Sequence, residues 1–252
     1  MGLREQMLAT VEGSPAAVAA HDKQRWLSLF APDAIVNDPV GSSPHRGDEH
    51  LSRFYDTFIA PNTIVFHPAH DIVCGDTVIR DLTLEIRMSD AVTLTVPVHL
   101  RYEMASADLI AGLFAHWELP TMVRQLLAEG VDALPISTRL TGALLRNQGL
   151  GGAAGFARGF VRAGAAEKRR TLAFLDAACG GRSGSDVRVE YGAGRVGPVA
   201  DLRDELDGWR TSKCLAAGRY VTVSLTRGEE HAVAMATFER RQIVAMKVYV
   251  AS

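Results

Sequence analysis

The sequence has few cysteines and no strong excess of either charge. Its three cysteines, Cys74, Cys179 and Cys214, lie far apart and lack the spacing of a metal site or a disulfide framework. The net charge of −2 is not typical of proteins that bind nucleic acid, since these need clustered positive charge. We therefore expect no metal site and no nucleic-acid partner, and unpaired cysteines fit a reducing cytoplasm.

Long apolar runs are also absent. No stretch approaches the ~18 apolar residues of a membrane-spanning helix, and residues 1–6 lack the apolar core of a signal peptide. We expect no membrane partner and a cytoplasmic location. The chain of 252 residues, 47% hydrophobic and 22% charged, has an ordinary globular composition and enough length for two modest domains.

Helical spacing of apolar residues comes first along the chain. It predicts a helix over 14–30, broken near His21, and a second helix over 48–59 whose inner face includes Phe54 and Tyr55. From residue 62 onward the hydrophobic period changes to two, which is typical of strands. The predicted strands are 63–66, 71–74, 77–88, 92–104 and 109–117.

Two helices followed by long antiparallel strands predict an α+β cone, in which a curved sheet wraps around helices and leaves a pocket. Residues 119–164 do not continue this pattern. Short helices are expected at 122–128 and 137–145, and six glycines over 147–164 weaken any helix there. We interpret 119–164 as a helical, glycine-rich connector.

The last part of the chain repeats the order of the first part in outline. A helix over 167–178, a strand over 186–191 and a helix over 199–209 precede three strands. These strands are predicted at 219–226, 231–239 and 242–250. The predicted organisation is two tandem cones: residues 1–118, the connector, and a degenerate second copy over 165–252.

A carboxylate ends the first apolar strand segment. The apolar pair at 35–36 leads to Asp38, whose backbone Pro39 holds extended, and a loop with two glycines, two prolines and two serines follows. An apolar neighbourhood raises a carboxyl pKa towards neutrality, which suits a proton-shuttling base. The alternative is that Asp38 only starts a turn, as Asp often does before proline.

The segment 30–47, together with Phe54 and Tyr55, resembles the ketosteroid isomerase family, whose members are SnoaL-like proteins of the nuclear transport factor 2-like superfamily. The resemblance covers residues ~10 to 118 and implies the cone fold. It implies that Asp38 is a general base acting without a cofactor, that Tyr55 belongs to a supporting hydrogen-bond network and that Trp117 lies in the pocket. It also implies sheet-to-sheet pairing, here between the two domains of one chain, with a homodimer as the further option.

The two oxyanion donors of that family are not in place. The position of its tyrosine falls at or near Ser14, and the position of its second aspartate falls near Val98. One such donor can supply ~3 kcal/mol of transition-state stabilisation, so the oxyanion hole is incomplete. Ser14 and Tyr55 are left as weak donors, and cyclisation or dehydration would build less enolate charge than isomerisation.

The predicted function is binding of a small hydrophobic, carbonyl-bearing molecule of steroid or polyketide type in the N-terminal cone. Asp38 and Tyr55 are the predicted catalytic residues of an isomerase or a cyclase or dehydratase. The predicted substrate-binding residues are Ser14, Leu27, Phe30, Val36, Phe54, Val96, Val98 and Trp117. The alternative, from another class, is a non-catalytic module that binds a hydrophobic ligand or a protein partner.

Three other features have plain structural interpretations. Residues 192–197 match G-x-G-x-x-G, but antiparallel strands follow, so we predict a turn leading into a helix at Pro198 and not a dinucleotide site. His99 and His116 are expected on the sheet face away from the pocket, because adjacent strand residues alternate, and there they would pack on the connector or on a partner subunit. Arg80 and Asp81 are expected in cross-strand ion pairs on a solvated face.

Overall fold

The structure is a computed structural model and describes residues 2–160, 163–182 and 187–251. The N-terminal half contains, in chain order, α1 (Leu3–Ala19), α2 (Lys23–Ser28), β1 (Phe30–Asn37), β2 (His45–Arg46), α3 (Gly47–Phe54), β3 (Thr63–Cys74), β4 (Thr77–Arg87), β5 (Thr93–Ser106) and β6 (Leu109–His116). A π-helical turn over Tyr55–Ile59 continues α3.

Two helices follow, α4 (Leu119–Ala128) and α5 (Ala133–Ala157). The remaining elements are α6 (Ala165–Cys179), β7 (Arg188–Tyr191), β8 (Arg195–Pro198), α7 (Arg203–Leu206), β9 (Arg210–Ala217), β10 (Tyr220–Arg227), β11 (Glu230–Glu239) and β12 (Gln242–Val250). Short 3₁₀ turns precede α5 and α7 and follow α5. Among the described residues, no helix is both long enough and apolar enough to cross a membrane.

The helical start of the chain is longer than the apolar spacing predicts, because α1 begins at Leu3. The predicted break near His21 is confirmed: His21 has a φ of 51°. Asp22 then caps α2, since its side chain accepts a hydrogen bond of 2.9 Å from the backbone N–H of Arg25.

The N-terminal strands form one sheet in the order β2-β1-β6-β5-β4-β3. β1 pairs with β6 in parallel, and the other neighbours are antiparallel. The predicted meander is confirmed, with one difference: the two segments predicted at 63–66 and 71–74 are a single strand, β3.

The C-terminal strands form a second sheet in the order β8-β7-β12-β11-β10-β9. Each strand number in this order is six higher than at the same place in the N-terminal order. The second sheet also contains the corresponding parallel pair, β7 with β12. β8 and β9 were not predicted. The glycine-rich segment turns directly into β8, where Val189 pairs with Gly197, so the helical turn begins only after Pro198.

Each sheet wraps around helices and encloses its own apolar core. Trp26 and Tyr55 from the helices are buried in the first core, and Leu175 and Leu206 are buried in the second. The predicted fold class, α+β with two curved sheets wrapped around helices, is confirmed.

The connector differs from its prediction. α5 continues through the glycines to Ala157, 25 residues in all. The helix is held along its length by contacts with the rest of the chain: Arg139 donates to Met88 O at 2.8 Å and Asn147 Nδ2 to Thr57 Oγ1 at 3.1 Å. In the glycine-rich part, Gly155 O accepts a hydrogen bond of 3.1 Å from the N–H of Ser43, and such contacts offset the low helix propensity of glycine.

A buried polar cluster lies where β4 and β5 meet the C-terminal sheet. His99 Nδ1 lies 2.8 Å from Thr222 Oγ1, and its Nε2 lies 2.9 Å from Ser224 Oγ. Ser224 Oγ donates to Asp81 Oδ2 at 2.5 Å, and Asp81 forms an ion pair with Lys213. A smaller apolar cluster beside it joins Ile79 of the first sheet to Val233 and Tyr249 of the second.

The face carrying this cluster was predicted to be solvated, and that prediction is wrong. Arg80 lies on the opposite face of β4, where it forms the expected cross-strand ion pair, with Asp71 of β3, and it is only 4% exposed. Asp81 contacts the other sheet. His99 and His116 face away from the pocket as predicted. They pack on the C-terminal half of the same chain and not on the connector or a partner subunit, with His116 edge-on to Tyr220.

Removing the Asp81 carboxylate should destabilise the fold. Burial alone would raise the pKa of Asp81, but hydrogen bonds from His99, Lys213 and Ser224 hold it below its usual range. Asp81→Ala leaves the Lys213 ammonium unpaired, and we expect a loss of about 3–5 kcal/mol in the free energy of unfolding, measured by urea denaturation.

The control for that experiment is Glu85→Ala on the same strand. Glu85 is half-buried, and its carboxylate lies 3.5 Å from His67 Nε2. We expect it to cost less than about 1 kcal/mol. Equal losses in the two variants would contradict the importance of the buried cluster.

Candidate functional site

Asp38 directly follows β1 and begins a loop that the chain fixes by its own hydrogen bonds. Asn37 Nδ2 donates to Ser42 O at 3.0 Å, and Ser42 Oγ donates to Pro39 O at 2.7 Å. The backbone N–H of Val40 donates to Ala115 O on β6 at 2.9 Å. The loop therefore holds Asp38 at one place against the sheet.

The Asp38 carboxylate has a single described side-chain donor. Trp117, just past the end of β6, donates its indole N–H to Asp38 Oδ1 at 2.6 Å. Burial raises the pKa of Asp38 to about 6, against the opposing effect of the indole hydrogen bond. Near neutral pH the group can accept a proton and also return it, as a general base requires.

A cavity of about 130 Å³ opens beside this carboxyl group. Its wall is formed mainly by apolar side chains from α1, α2, α3, the sheet and the two connector helices. The lining residues are Ser14, Val18, Trp26, Asp38, Phe54, Phe58, Ile59, Asn62, Ile64, Phe66, Leu84, Ile86, Met88, Val96, Leu100, Tyr102, Leu113, Trp117, Met122, Leu140 and Phe156. An apolar wall with few polar groups is typical of a site for a small hydrophobic ligand.

Half of the residues predicted for the site meet at this cavity. Asp38, Ser14, Phe54, Val96 and Trp117 all line it. The roles assigned to them stay predictions.

The remaining predicted wall residues require a correction. Leu27, Phe30, Val36 and Val98 do not line the cavity. Phe30 packs on Trp26, with ring centroids 4.6 Å apart, and Val36 and Val98 are fully buried in the core. Leu27 is half-buried at the edge of the same core.

Tyr55 is also not at the cavity wall. It lies in the π-helical turn, where its ring packs on Trp26 at 5.6 Å, and it is 2% exposed. Its hydroxyl is buried and has no hydrogen-bond partner among the described residues. The structure therefore separates Tyr55 from the carboxylate that it was predicted to assist.

Tyr102 is the residue that the sequence analysis missed. It lies on β5, lines the cavity and contacts the Ser14 hydroxyl, which accepts a hydrogen bond from Trp26 Nε1 at 3.1 Å. Burial raises the pKa of Tyr102 to about 12, so the phenol keeps its proton at neutral pH. The sequence contains a signal for this role: even numbers of residues separate Tyr102 from Val96 and Leu100, so all three side chains lie on the same face of the strand.

The connector helices also contribute to the wall, which was not predicted. Met122 from α4 and Leu140 and Phe156 from α5 close one side of the cavity. Phe156 stacks on Phe58, with ring centroids 5.4 Å apart. In the part of the chain that the structure describes, no group of three or more His, Cys, Asp or Glu side chains is arranged to hold a metal ion.

Part of the chain that forms this site is similar to a known domain family. Residues 11–112 match the family model of the SnoaL-like domain. The matched range contains α1 from Val11 onward, the Asp38 loop and most of the N-terminal sheet. Residues 11–112 are thus similar to the SnoaL-like domain, and the predicted resemblance is confirmed.

Solved structures resemble about half of the chain. A Mycobacterium tuberculosis protein in complex with estradiol-17β-hemisuccinate is 27% identical, with a TM-score of 0.43, over 46% of this chain and 95% of that one. A Δ5-3-ketosteroid isomerase from Mycobacterium sp. gives the same four values. A Shewanella putrefaciens protein, provisionally described as a SnoaL-like polyketide cyclase, is 14% identical, with a TM-score of 0.44, over 49% and 97%.

The raised pKa of Asp38 predicts a pH-dependent stability difference. The pKa of Asp38 is about 6 in the folded protein, above the usual 3.8 of an aspartate, so the fold loses stability as pH rises from about 4 to 6. Asp38→Asn removes this loss. Near pH 8 we expect the free energy of unfolding of the variant, measured by urea denaturation, to exceed that of wild type by about 3 kcal/mol. Near pH 4 we expect the two values to be equal.

Asp33→Asn is the matched control, because Asp33 is an exposed aspartate on the same strand. It should change stability by less than about 0.5 kcal/mol at both pH values. A difference between Asp38→Asn and wild type that does not vary with pH would show that the carboxyl group is not desolvated.

Proposed function

We propose that the N-terminal half binds a small hydrophobic molecule that carries a carbonyl group, and that Asp38 moves a proton between two carbon atoms of it. The observation that supports this most is a desolvated carboxyl group, with a pKa raised to about 6, in the wall of an apolar cavity. The match of residues 11–112 to the SnoaL-like domain supports the same class of reaction.

The chemical step needs only groups that this chain supplies. The Asp38 carboxylate removes a proton from the carbon next to the carbonyl group, and the electron pair of that C–H bond moves towards the carbonyl oxygen, giving an enolate. The protonated Asp38 then returns the proton to another carbon of the conjugated system, and the carbonyl group re-forms. Atoms and charge balance without an oxidant or a cofactor.

Tyr102 is the proposed donor to the enolate oxygen. It lines the same cavity as Asp38 and keeps its proton, since the pKa of its hydroxyl is raised to about 12. The Ser14 hydroxyl and the Trp26 indole fix its position. One tyrosine supplies less stabilisation than a two-donor hole, so cyclisation or dehydration, with less charge on oxygen, is also within reach of this site.

The C-terminal half is proposed as a degenerate second copy over 165–252, paired with the first domain over 1–118 through the connector at 119–164. The shared strand order and the corresponding parallel pair support this proposal. β7 corresponds to β1, and it ends at Tyr191, followed by Gly192, where β1 is followed by Asp38. The proposed copy therefore has no base of its own.

A Δ5-3-ketosteroid is the probe for the proposed chemistry. We expect wild type to convert it to the conjugated enone, and ultraviolet absorbance measures this conversion. Asp38→Asn should lower kcat by a factor of about 10²–10⁴. Wild-type kcat should rise with pH through about 6, as the carboxylate forms. Steroid binding, measured by tryptophan fluorescence, should survive in Asp38→Asn.

Asp33→Asn is again the control and should keep the wild-type rate. Binding of the steroid with equal conversion rates in wild type and Asp38→Asn would contradict catalysis. That result would favour the non-catalytic ligand-binding module.

Tyr102→Phe tests the proposed donor. It removes only the hydroxyl, and we expect kcat to fall by about 10²–10³ with little change in KM. Tyr55→Phe is the matched control, because the Tyr55 hydroxyl does not reach the cavity wall. A larger loss in Tyr55→Phe than in Tyr102→Phe would return the role to Tyr55.

A further inference from the structure

The loop that carries Asp38 touches the C-terminal half of the chain. Gly218, in the turn between β9 and β10, has a φ of 53°. A Cβ atom at this position would lie 2.9 Å from Gly41 Cα and 3.1 Å from Gly41 N. The two backbones are therefore in direct contact, three residues beyond Asp38, and only glycine fits both the space and the conformation.

The same turn is fixed to its surroundings on either side. The carbonyl oxygen of Gly218 accepts a hydrogen bond of 2.7 Å from the backbone N–H of Ala163. Two residues earlier, the N–H of Ala216 donates to Glu118 Oε1 at 3.2 Å, and Lys168 Nζ donates to the same oxygen at 3.1 Å. The turn is thus anchored to both the connector and the segment after β6.

These contacts involve both chain segments that form the hydrogen bond between Trp117 and Asp38. Glu118 directly follows Trp117, whose indole N–H holds the Asp38 carboxylate. Gly41 belongs to the loop that carries Asp38 itself. The C-terminal half therefore touches the chain next to the hydrogen-bond donor and next to its acceptor.

Helix α5 also contacts the loop that carries Asp38. The carbonyl oxygen of Gly155 accepts a hydrogen bond of 3.1 Å from the N–H of Ser43. A Cβ atom on Gly155 would lie 2.6 Å from Ser43 Oγ. The loop is enclosed on these sides and has little room to move away from the turn at Gly218.

We propose that the C-terminal half positions the candidate base, with Gly218 as the positioning residue that holds the Asp38 loop against Trp117. This assigns a task to the half that has no carboxylate at its own strand end. The consequence for catalysis rests on the proposed function, but the positioning itself does not, because it can be measured without a substrate.

The test replaces Gly218 with alanine and follows the Trp117 indole N–H by ¹H–¹⁵N NMR across pH. The chain has only three tryptophans, so the indole region holds three signals, and Trp117→Phe assigns the one of interest. In wild type this signal should titrate with a midpoint of about 6. Gly218→Ala should change its chemical shift and lower its midpoint by about one pH unit, because the displaced carboxyl group gains water.

Gly228→Ala is the matched control. Gly228 lies in the next turn of the same sheet, has a φ of 58°, and a Cβ atom there would meet nothing within 4 Å. It therefore imposes the same backbone strain without a contact on the loop. Its Trp117 signal should titrate as in wild type.

The indole signals of Trp26 and Trp209 report on folding in the two cores, and both should stay at their wild-type positions. If Gly218→Ala fails this check, Glu118→Ala removes the anchor of Ala216 instead and should move the Trp117 midpoint in the same direction. A Trp117 titration that stays at its wild-type midpoint in the folded variant would overturn the proposal.

The two proposals fail separately. Loss of steroid conversion in Asp38→Asn with an unmoved Trp117 titration in Gly218→Ala would keep the base and reject the positioning role. A moved titration with equal conversion in wild type and Asp38→Asn would keep the positioning role and reject the catalytic one.

Discussion

The structure of the site depends on one half-buried carboxyl group that the fold shields from much of the surrounding water. Asp38 lies at the end of a strand, and among the described side chains the indole N–H of Trp117 is its hydrogen-bond donor, at 2.6 Å. Removing a carboxylate from water disfavours its charged form, and one neutral hydrogen bond compensates only in part. As a result, the Asp38 carboxyl group can take up and release a proton near neutral pH.

The surrounding architecture follows from the two faces of one sheet. On β5, Val96, Leu100 and Tyr102 face the cavity, whereas His99 faces the opposite side and contacts Thr222 and Ser224. One face of the sheet therefore lines the cavity, and the other is covered by the second sheet.

The sequence predicted those parts of the molecule that depend on local pattern. Period-two alternation located the long strands of both sheets, and an apolar pair followed by Asp-Pro located Asp38 at a strand end. The alternation also contains Tyr102, which was not predicted because the resemblance places the tyrosine of the family near Ser14, at the start of the chain, and not on β5. The solvated face assigned to Asp81 was wrong because no local signal shows that another sheet covers it.

Tertiary contacts decided the remaining differences. Glycines lower helix propensity, yet α5 continues to Ala157, because Gly155 allows the helix to approach Ser43 closely. Tyr55 has the helical phase of an inner residue, and it is buried, but the π-helical turn directs it to Trp26. Sequence spacing could establish that these residues face inward and could not establish which part of the interior they reach.

The most direct measurement of the central claim is a ¹³C NMR titration of the Asp38 side-chain carboxyl group, assigned by its absence from the spectrum of Asp38→Asn. Burial in the cavity predicts a midpoint of about 6. A midpoint near 4, the usual value for an aspartate in water, would contradict the account.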